Sequence, residues 1–197
     1  MNELALHILD LAENSVAAGA SRVDIRIALS HDDDRLTIEM QDDGRGMSAE
    51  FLQRAADPFA TTRTERKVGL GLSLVRQLCE MCDGAFRIES EPGRGTLLHL
   101  EFRLSHVDLP PMGDLAQTML ALVILYSDRP DFRLTYSEGS APYVFDTAEI
   151  RKLLGEVPLN TPQVVRWIKD DLREGLYTAA RPRTNNFGGA NHYEVCS

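Results

Sequence analysis

Residues 36–47 read LTIEMQDDGRGM, an alternating strand pattern that runs directly into a turn containing two glycines. The alternation in LTIEM is typical of a strand with one buried face. Asp42 stands at the strand end, where its carboxylate could accept a hydrogen bond from an exocyclic amine such as that of adenine. Gly44 and Gly46 would let the backbone approach a flat ring closely. Taken alone, the stretch is more typical of an ordinary turn rich in Asp and Gly, and only the motifs elsewhere in the chain favour a binding site.

Upstream of this strand, the apolar stripe of residues 3–17 predicts an amphipathic helix. Asp10 and Asn14 are four residues apart and therefore share one face of that helix. An asparagine oxygen can ligate Mg²⁺, and a carboxylate one turn earlier can orient or deprotonate a water. The alternatives are a structural carboxylate at position 10 and a polar helix-end residue at position 14. For His7, a packed or surface histidine is the favoured interpretation.

Downstream, the segment DPFATTRTERKV (57–68) predicts a loop that leads into a helix over residues 70–82. Gly69 and Gly71 stand at the start of that helix, where free N–H groups and the helix dipole favour phosphate. The segment EPGRGT then places Thr96 at the start of the last strand of this region. Each of these features has a use in a nucleotide-binding site.

The predicted elements indicate an α/β (α+β) two-layer sandwich with helices on one face of a mixed sheet. Pro110 and Pro111 mark a boundary after this region. Further helix and strand patterns predict a small α+β module behind it. The expected organisation is an N-terminal domain (1–104), a linker (105–112), a module for partner binding or dimerisation (113–180) and a flexible tail (181–197).

The composition restricts the class of protein. Of 197 residues, 43% are hydrophobic, which supplies a core and excludes global disorder. The formal net charge of −9 argues against a broad nucleic-acid interface, and we see no membrane span or signal peptide. Three cysteines indicate reduced thiols, hence a cytoplasmic protein. The C-x-x-C pair Cys79 and Cys82 is interpreted as small buried hydrophobes rather than as a metal or redox site.

Taken together, these motifs resemble the Bergerat-fold ATP-binding domain (GHKL) shared by gyrase, the heat-shock chaperone, sensor histidine kinases and mismatch-repair ATPases. DLAENSVAAGA resembles the family's asparagine box, and its N-S-x-x-A-G-A sequence is closest to the mismatch-repair branch. DDGRGM, DPFATTR, VGLGLSLV and EPGRGT resemble, in order and spacing, the ATP-binding domain of sensor histidine kinases. The resemblance covers about residues 1–104.

The resemblance implies ATP and Mg²⁺ as ligands. Asp42 would bind the adenine amine, Asn14 would bind Mg²⁺, and Thr96 would support the adenine end. Residues 57–68 would form a lid over the phosphates. One cation of this lid, Arg63, Arg66 or Lys67, would contact phosphate. The implied nucleotide-binding residues are Asn14, Asp42, Gly44, Gly46, Met47, Arg63, Lys67, Gly69, Leu70, Gly71, Leu72 and Thr96.

Two departures from the family pattern matter. The hydrolysing branches carry a glutamate as general base where this chain has Asp10, whose shorter side chain either activates water less well or only positions Mg²⁺ and its waters. Only thirteen residues precede Asn14, so we expect no phosphoacceptor hairpin ahead of the domain and a stand-alone protein. This expectation argues against a complete autophosphorylating sensor of a two-component system.

We therefore predict a cytoplasmic Mg-ATP-binding signalling protein of the histidine-kinase-like ATPase class. It would transfer phosphate to, or hydrolyse ATP for, a separate and unidentified protein partner, and it could form a homodimer. One alternative is a non-kinase, ATP-gated binding module with slow or no turnover. Another is a protein-serine kinase resembling the anti-sigma-factor branch.

Overall fold

A computed structural model of the chain describes residues 3–50, 52, 70–139 and 141–180. Across these residues the chain forms five long helices and six strands. The helices are α1 (Leu4–Ala17), α2 (Leu70–Met81), α3 (Leu115–Leu125), α4 (Thr147–Leu154) and α5 (Pro162–Ala179). The strands are β1 (Arg22–Ser30), β2 (Arg35–Asp42), β3 (Ala85–Glu91), β4 (Gly95–Arg103), β5 (Asp131–Glu138) and β6 (Tyr143–Asp146).

All six strands belong to one mixed sheet in the order β3-β4-β2-β1-β5-β6. The β1–β5 pair is parallel, and the other neighbours are antiparallel. Alternate residues of β1, β2, β4 and β5 are buried on one face only, because side chains in a strand point to opposite sides in turn. The α+β sandwich predicted from the sequence is confirmed.

One hydrophobic core runs through the sheet and its helices. Helix α1 packs against α2 and α3, and α3 also packs against α5. Leu4 and Ile8 of α1 belong to the same buried cluster as Met119 of α3 and Phe132 of β5. The segment 113–180 thus has the α+β content predicted for it, and it extends the sheet of the N-terminal region.

The predicted linker is bound to the start of α1. The amides of Leu4 and Ala5 donate to the carbonyls of Pro111 and Met112 at 3.0 and 2.9 Å. The first N–H groups of a helix have no partner within the helix, so these carbonyls satisfy them in place of a capping side chain. Residues 111–112 therefore fix the end of α1 that precedes Asp10.

The element boundaries agree closely with the sequence patterns. Gly19, with φ +76°, ends α1 in the left-handed conformation expected of it. The short helix expected after Ser48 is present at Ala49 and Glu50, and the Leu52 amide donates to the Ser48 carbonyl at 2.9 Å. The predicted lid loop and tail lie outside the described residues. No helix among the described residues is long and apolar enough to cross a membrane.

Candidate nucleotide-binding site

The carboxylate of Asp42 is held at the end of β2 by two donors. The Ser15 hydroxyl donates to Oδ2 at 2.8 Å, and the Gly44 amide donates to Oδ1 at 2.9 Å. Only 8% of Asp42 is exposed. A carboxylate offers about four acceptor positions, so each oxygen retains room for a further donor. The residue is therefore fixed in orientation and still able to accept a hydrogen bond from a ligand.

Thr96 lies beside Asp42, because the two residues are register partners across β2 and β4. The Ser90 hydroxyl lies 3.0 Å from the Thr96 hydroxyl and donates to the Gly95 carbonyl at 2.8 Å. It also accepts the Met47 amide at 2.9 Å. Ser90 thereby connects β4, which contains Thr96, with the glycine turn after β2. Met47, which is predicted to bind nucleotide, lies in that turn.

The glycines around Asp42 allow the backbone to approach neighbouring segments closely. A β-carbon at Gly46 would lie 1.9 Å from the Glu91 carbonyl oxygen, and one at Gly95 would lie 1.9 Å from the Asp42 carbonyl oxygen. Gly44 packs against the end of α1, since a β-carbon there would lie 2.9 Å from Cβ of Ala18. These glycines let the turn after β2, the β3–β4 turn and α1 meet at one place.

The polar face of α1 meets the start of α2. A β-carbon at Gly71 would lie 3.8 Å from Asn14 Nδ2 and 3.9 Å from Asp10 Cβ. Asp10 is exposed and Asn14 half-buried, whereas Leu72 faces the core. Asn14 is the neighbour of Ser15, so α1 places the predicted metal ligand beside the residue that contacts Asp42. We call the region between α1, the end of β2 and the start of α2 the candidate cleft.

The donor set of this cleft fits Mg-ATP. Asp10 and Asn14 offer oxygen atoms on one helix face, and no group of three or more His, Cys, Asp or Glu among the described residues could hold a metal ion. Mg²⁺ is commonly bound through one or two protein oxygens together with substrate phosphates and waters. The oxygens of Asp10 and Asn14, close to Gly71 at the start of α2, therefore suit an Mg²⁺ ion that nucleotide phosphates also bind.

Ser15, Ser90 and Asp43 belong to this site although the sequence patterns did not indicate them. Asp43 Oδ1 accepts the Ser21 and Arg22 amides at 2.7 and 2.9 Å, and the Ser21 hydroxyl donates to Oδ2. Partial burial raises the pKa of Asp43, but these hydrogen bonds outweigh it and hold the pKa below its ordinary value. A serine directly after the predicted metal ligand was the available signal for Ser15, whereas nothing local pointed to Asp43.

Three of the predicted site residues, Arg63, Lys67 and Gly69, lie outside the described residues, as does Arg66. Leu70 begins α2, and its side chain is likewise outside the described part of the structure. Among the remaining predicted residues, Leu72 faces the core, and the others lie where α1 meets α2 or around the end of β2. Their roles toward a ligand stay predictions. His7 lies half-buried on α1 and Cys79 and Cys82 are fully buried, in agreement with their assignment as structural residues.

Comparison with known families agrees with this geometry. Residues 2–106 match the family described as histidine kinase-, DNA gyrase B-, and HSP90-like ATPases. The match covers more than half of the chain and includes every element of the cleft. The chain belongs to this family, and its domain is a histidine-kinase-like ATPase domain.

Individual relatives are sensor and sporulation kinases. The chain is 32% identical over 100 residues to sporulation kinase E of Bacillus subtilis, covering 50% of this chain and 13% of that kinase. It is 30% identical over 131 residues to the sensor histidine kinase AruS of Pseudomonas aeruginosa, covering 64% of this chain and 13% of that protein. The chain thus spans less than a fifth of the length of these relatives.

One solved structure is similar over nearly the whole chain. The N-terminal domain of a DNA repair protein aligns with a TM-score of 0.53 at 12% identity, covering 90% of this chain and 57% of that one. At this identity the likeness concerns the fold alone. The aligned part includes some of the segment 113–180, so the similarity in fold extends beyond residues 2–106.

Proposed function

We propose that this protein binds Mg-ATP in the cleft between α1, the end of β2 and the start of α2, and uses it in signalling. It would transfer phosphate to, or hydrolyse ATP for, a separate protein partner in the cytoplasm. The observation that carries the proposal is Asp42, a buried strand-end carboxylate fixed by Ser15 and Gly44 with acceptor capacity to spare.

Each side chain of the cleft has a task in this proposal. Asp42 accepts the adenine amine, with Thr96 and Ser90 supporting that end. Asn14 supplies an oxygen to Mg²⁺, and the first amides of α2 receive the phosphates. Bound Mg²⁺ supplies charge neutralisation on the phosphates. Asp10 orients or deprotonates the attacking water or the partner's hydroxyl or imidazole group.

Nucleotide calorimetry on Asp42→Asn tests the adenine assignment. In the wild type, both carboxylate oxygens of Asp42 accept hydrogen bonds from protein donors. Asparagine places an NH₂ group at one of these positions, so one protein donor loses its acceptor. The amine of the ligand also loses a charged partner. Such losses cost about 3 kcal/mol, which corresponds to roughly a 150-fold weaker Kd. Glu39→Gln, on the opposite face of the same strand, is the control and should bind ATP normally. Unchanged affinity in Asp42→Asn would contradict the assignment.

Incubation with γ-labelled ATP and cell extract distinguishes the modes of use. A labelled partner protein indicates a kinase, and free phosphate indicates an ATPase. Tight binding with neither product would favour an ATP-gated module. That second candidate draws on one observation, the aspartate at position 10, which is shorter than the glutamate that usually acts as base in hydrolysing branches of the family.

A further inference from the structure

A group of hydrogen bonds joins the turn that follows Asp42, which we call the Asp42 turn, to the C-terminal segment. It consists of Ser21, Arg22 and Asp43, and we call it the Ser21 node. On one side, Asp43 accepts the amides of Ser21 and Arg22 at 2.7 and 2.9 Å. On the other side, the Ser21 carbonyl accepts the Asp131 amide at 2.9 Å, where β5 begins. Asp43, the neighbour of the residue proposed to bind adenine, is thus connected to β5 through two successive hydrogen bonds.

The side chain of Arg22 extends the node to α4. Its Nε lies 2.9 Å from Asp24, and its Nη2 lies 2.9 Å from Asp146. Asp146 is the N-cap of α4, where its Oδ1 accepts the Ala148 amide at 2.9 Å. Only 13% of the Asp146 side chain is exposed, so solvent screens this ion pair less than a fully exposed one. Hydrogen bonds to Asp24 and then Asp146 raise the pKa of Arg22 above its ordinary value, so it stays charged.

A second contact holds the first turn of α4 against β5. The hydroxyl of Thr147, which is 1% exposed, donates to Asp131 Oδ1 and accepts the Phe132 amide, both at 2.9 Å. Arg151 Nε also donates to Asp131 at 2.8 Å. The start of β5 and the start of α4 therefore form one hydrogen-bonded unit, and the Ser21 node connects that unit to the Asp42 turn.

We propose that the Ser21 node couples the nucleotide site energetically to the first turn of α4, so that ATP binding and any event on α4 influence each other. The inference rests on the proposed function, because it concerns the same cleft. A ligand that fixes the Asp42 turn raises the free energy needed to break the hydrogen bonds of the Ser21 node. The hydrogen bonds beyond the node, at the starts of β5 and α4, then open less often. Such coupling is reciprocal: whatever loosens α4 weakens ATP binding by the same factor.

Amide hydrogen exchange on the full-length protein, with and without saturating Mg-ATP, tests the coupling. In the wild type we expect exchange of the Phe132 and Ala148 amides to slow at least fivefold with ATP, a typical size for coupling between sites. Arg22→Ala removes the ion pair with Asp146 and leaves the backbone hydrogen bonds to Asp43 and Asp131 in place. It should therefore abolish the slowing at Ala148, reduce it less at Phe132, and weaken the ATP Kd about fivefold. Arg35→Ala removes the 3.3 Å ion pair with Glu101 at the far end of β2, and this control should behave like the wild type.

A second variant guards against loss of folding in Arg22→Ala. Asp146→Asn keeps a side-chain oxygen to cap α4 and removes only the charge that faces Arg22. It should also reduce the ATP-dependent slowing at Ala148. Normal slowing at Ala148 in both variants would overturn the proposal, as would bound ATP that leaves the Phe132 and Ala148 amides unaffected in the wild type.

Calorimetry in the same samples separates this inference from the proposed function. If ATP binds the wild type but exchange beyond the node does not change, the coupling is wrong and the nucleotide site stands. If the wild type binds no ATP, the proposed function fails and the coupling fails with it.

Discussion

At the scale of single residues, Ser15 is the clearest addition to the site. It is 5% exposed, and its hydroxyl donates to Asp42 across the gap between α1 and β2. A serine on the buried face of a helix leaves an unsatisfied hydroxyl unless a partner is present. Here the partner is the carboxylate proposed to bind adenine, so under this proposal the same hydrogen bond stabilises the fold and orients the ligand-binding group.

We expect Ser15→Ala to weaken ATP binding about tenfold, because one oxygen of Asp42 loses the donor that orients it. The free energy of unfolding should fall by about 1–3 kcal/mol for the same reason. Calorimetry and chemical denaturation measure the two effects. Ser15→Thr keeps a hydroxyl and should recover most of the affinity. A loss of stability without any loss of affinity would make Ser15 purely structural.

Asp10→Asn should leave nucleotide binding intact and slow turnover at least tenfold, about 1.4 kcal/mol of barrier. The reason is that an amide cannot take a proton from the attacking group, while Asp10 is exposed and contributes little to the fold. Steady-state phosphate release or partner labelling gives the rate. Glu13→Gln, an exposed neighbour on α1, serves as control. Equal rates in both variants would mean that Asp10 has no part in the chemistry.

Cys79 and Cys82 should not react with thiol reagents at pH 8 in the folded protein. Both side chains are 0% exposed, and burial raises the pKa of the Cys79 thiol to about 12 and also raises the pKa of Cys82. Labelling in a Cys196→Ser background, with and without denaturant, measures this. Because the Cys79 pKa is higher when folded, stability should decline as the pH rises above about 9. Rapid labelling of the native protein would show that the core around α2 opens readily.

At the scale of elements, the β3–β4 turn offers a matched pair of glycines. Gly93 and Gly95 have φ angles of +77° and +85°. A β-carbon at Gly93 would meet nothing within 4 Å, whereas one at Gly95 would lie 1.9 Å from the Asp42 carbonyl oxygen. The two positions therefore share the conformational requirement and differ only in their contact with the proposed adenine-binding strand.

Gly93→Ala should cost about 1 kcal/mol of stability, the strain of a left-handed residue, and leave ATP binding unchanged. Gly95→Ala should cost at least about 3 kcal/mol and weaken ATP binding, because the backbone at Asp42 must move. Denaturation and calorimetry on both variants give the comparison. Equal costs at the two positions would mean that the turn and the strand end adjust independently.

At the scale of the whole molecule, the sheet and core indicate that the C-terminal segment supports the ATPase domain. Strand β5 lies beside β1 through eight paired positions, from Arg22↔Asp131 to Leu29↔Glu138. Helix α3 is largely buried against α1 and α5. The boundary predicted at 105–112 is a boundary in the sequence pattern, and the chain on both sides of it contributes to one sheet.

A truncated chain of residues 1–112 should therefore lose cooperative unfolding. It would expose β1 along one edge and uncover the side of α1 that packs on α3. A buried Leu, Met or Phe contributes about 1.5–3 kcal/mol, so losing several exceeds the usual net stability of a domain. Circular dichroism during thermal unfolding measures this, with the full chain as control. A truncated chain with a sharp transition would support two separate domains as predicted.

The local elements and the composition of the cleft follow from the amino-acid sequence alone. Alternation in β2 and the apolar stripe of α1 each report the burial of one face, a requirement that is visible within a few residues. The glycines at 44 and 46 indicate places where the backbone approaches another segment closely, without telling which segment it is. The spacing of Asp10 and Asn14 likewise follows from the helix period. No contact between distant parts of the chain is needed to derive these features.

Which residues meet across long sequence separations depends on the tertiary structure. The parallel pairing of β5 with β1, the hydrogen bonds of Ser15 to Asp42 and of Arg22 to Asp146, and the cap that Pro111 and Met112 provide for α1 link residues between 27 and 124 positions apart. Periodicity tells which face of an element is buried. It does not tell which element covers that face, since many partners could bury the same apolar area, and the choice depends on the packing of the entire sheet.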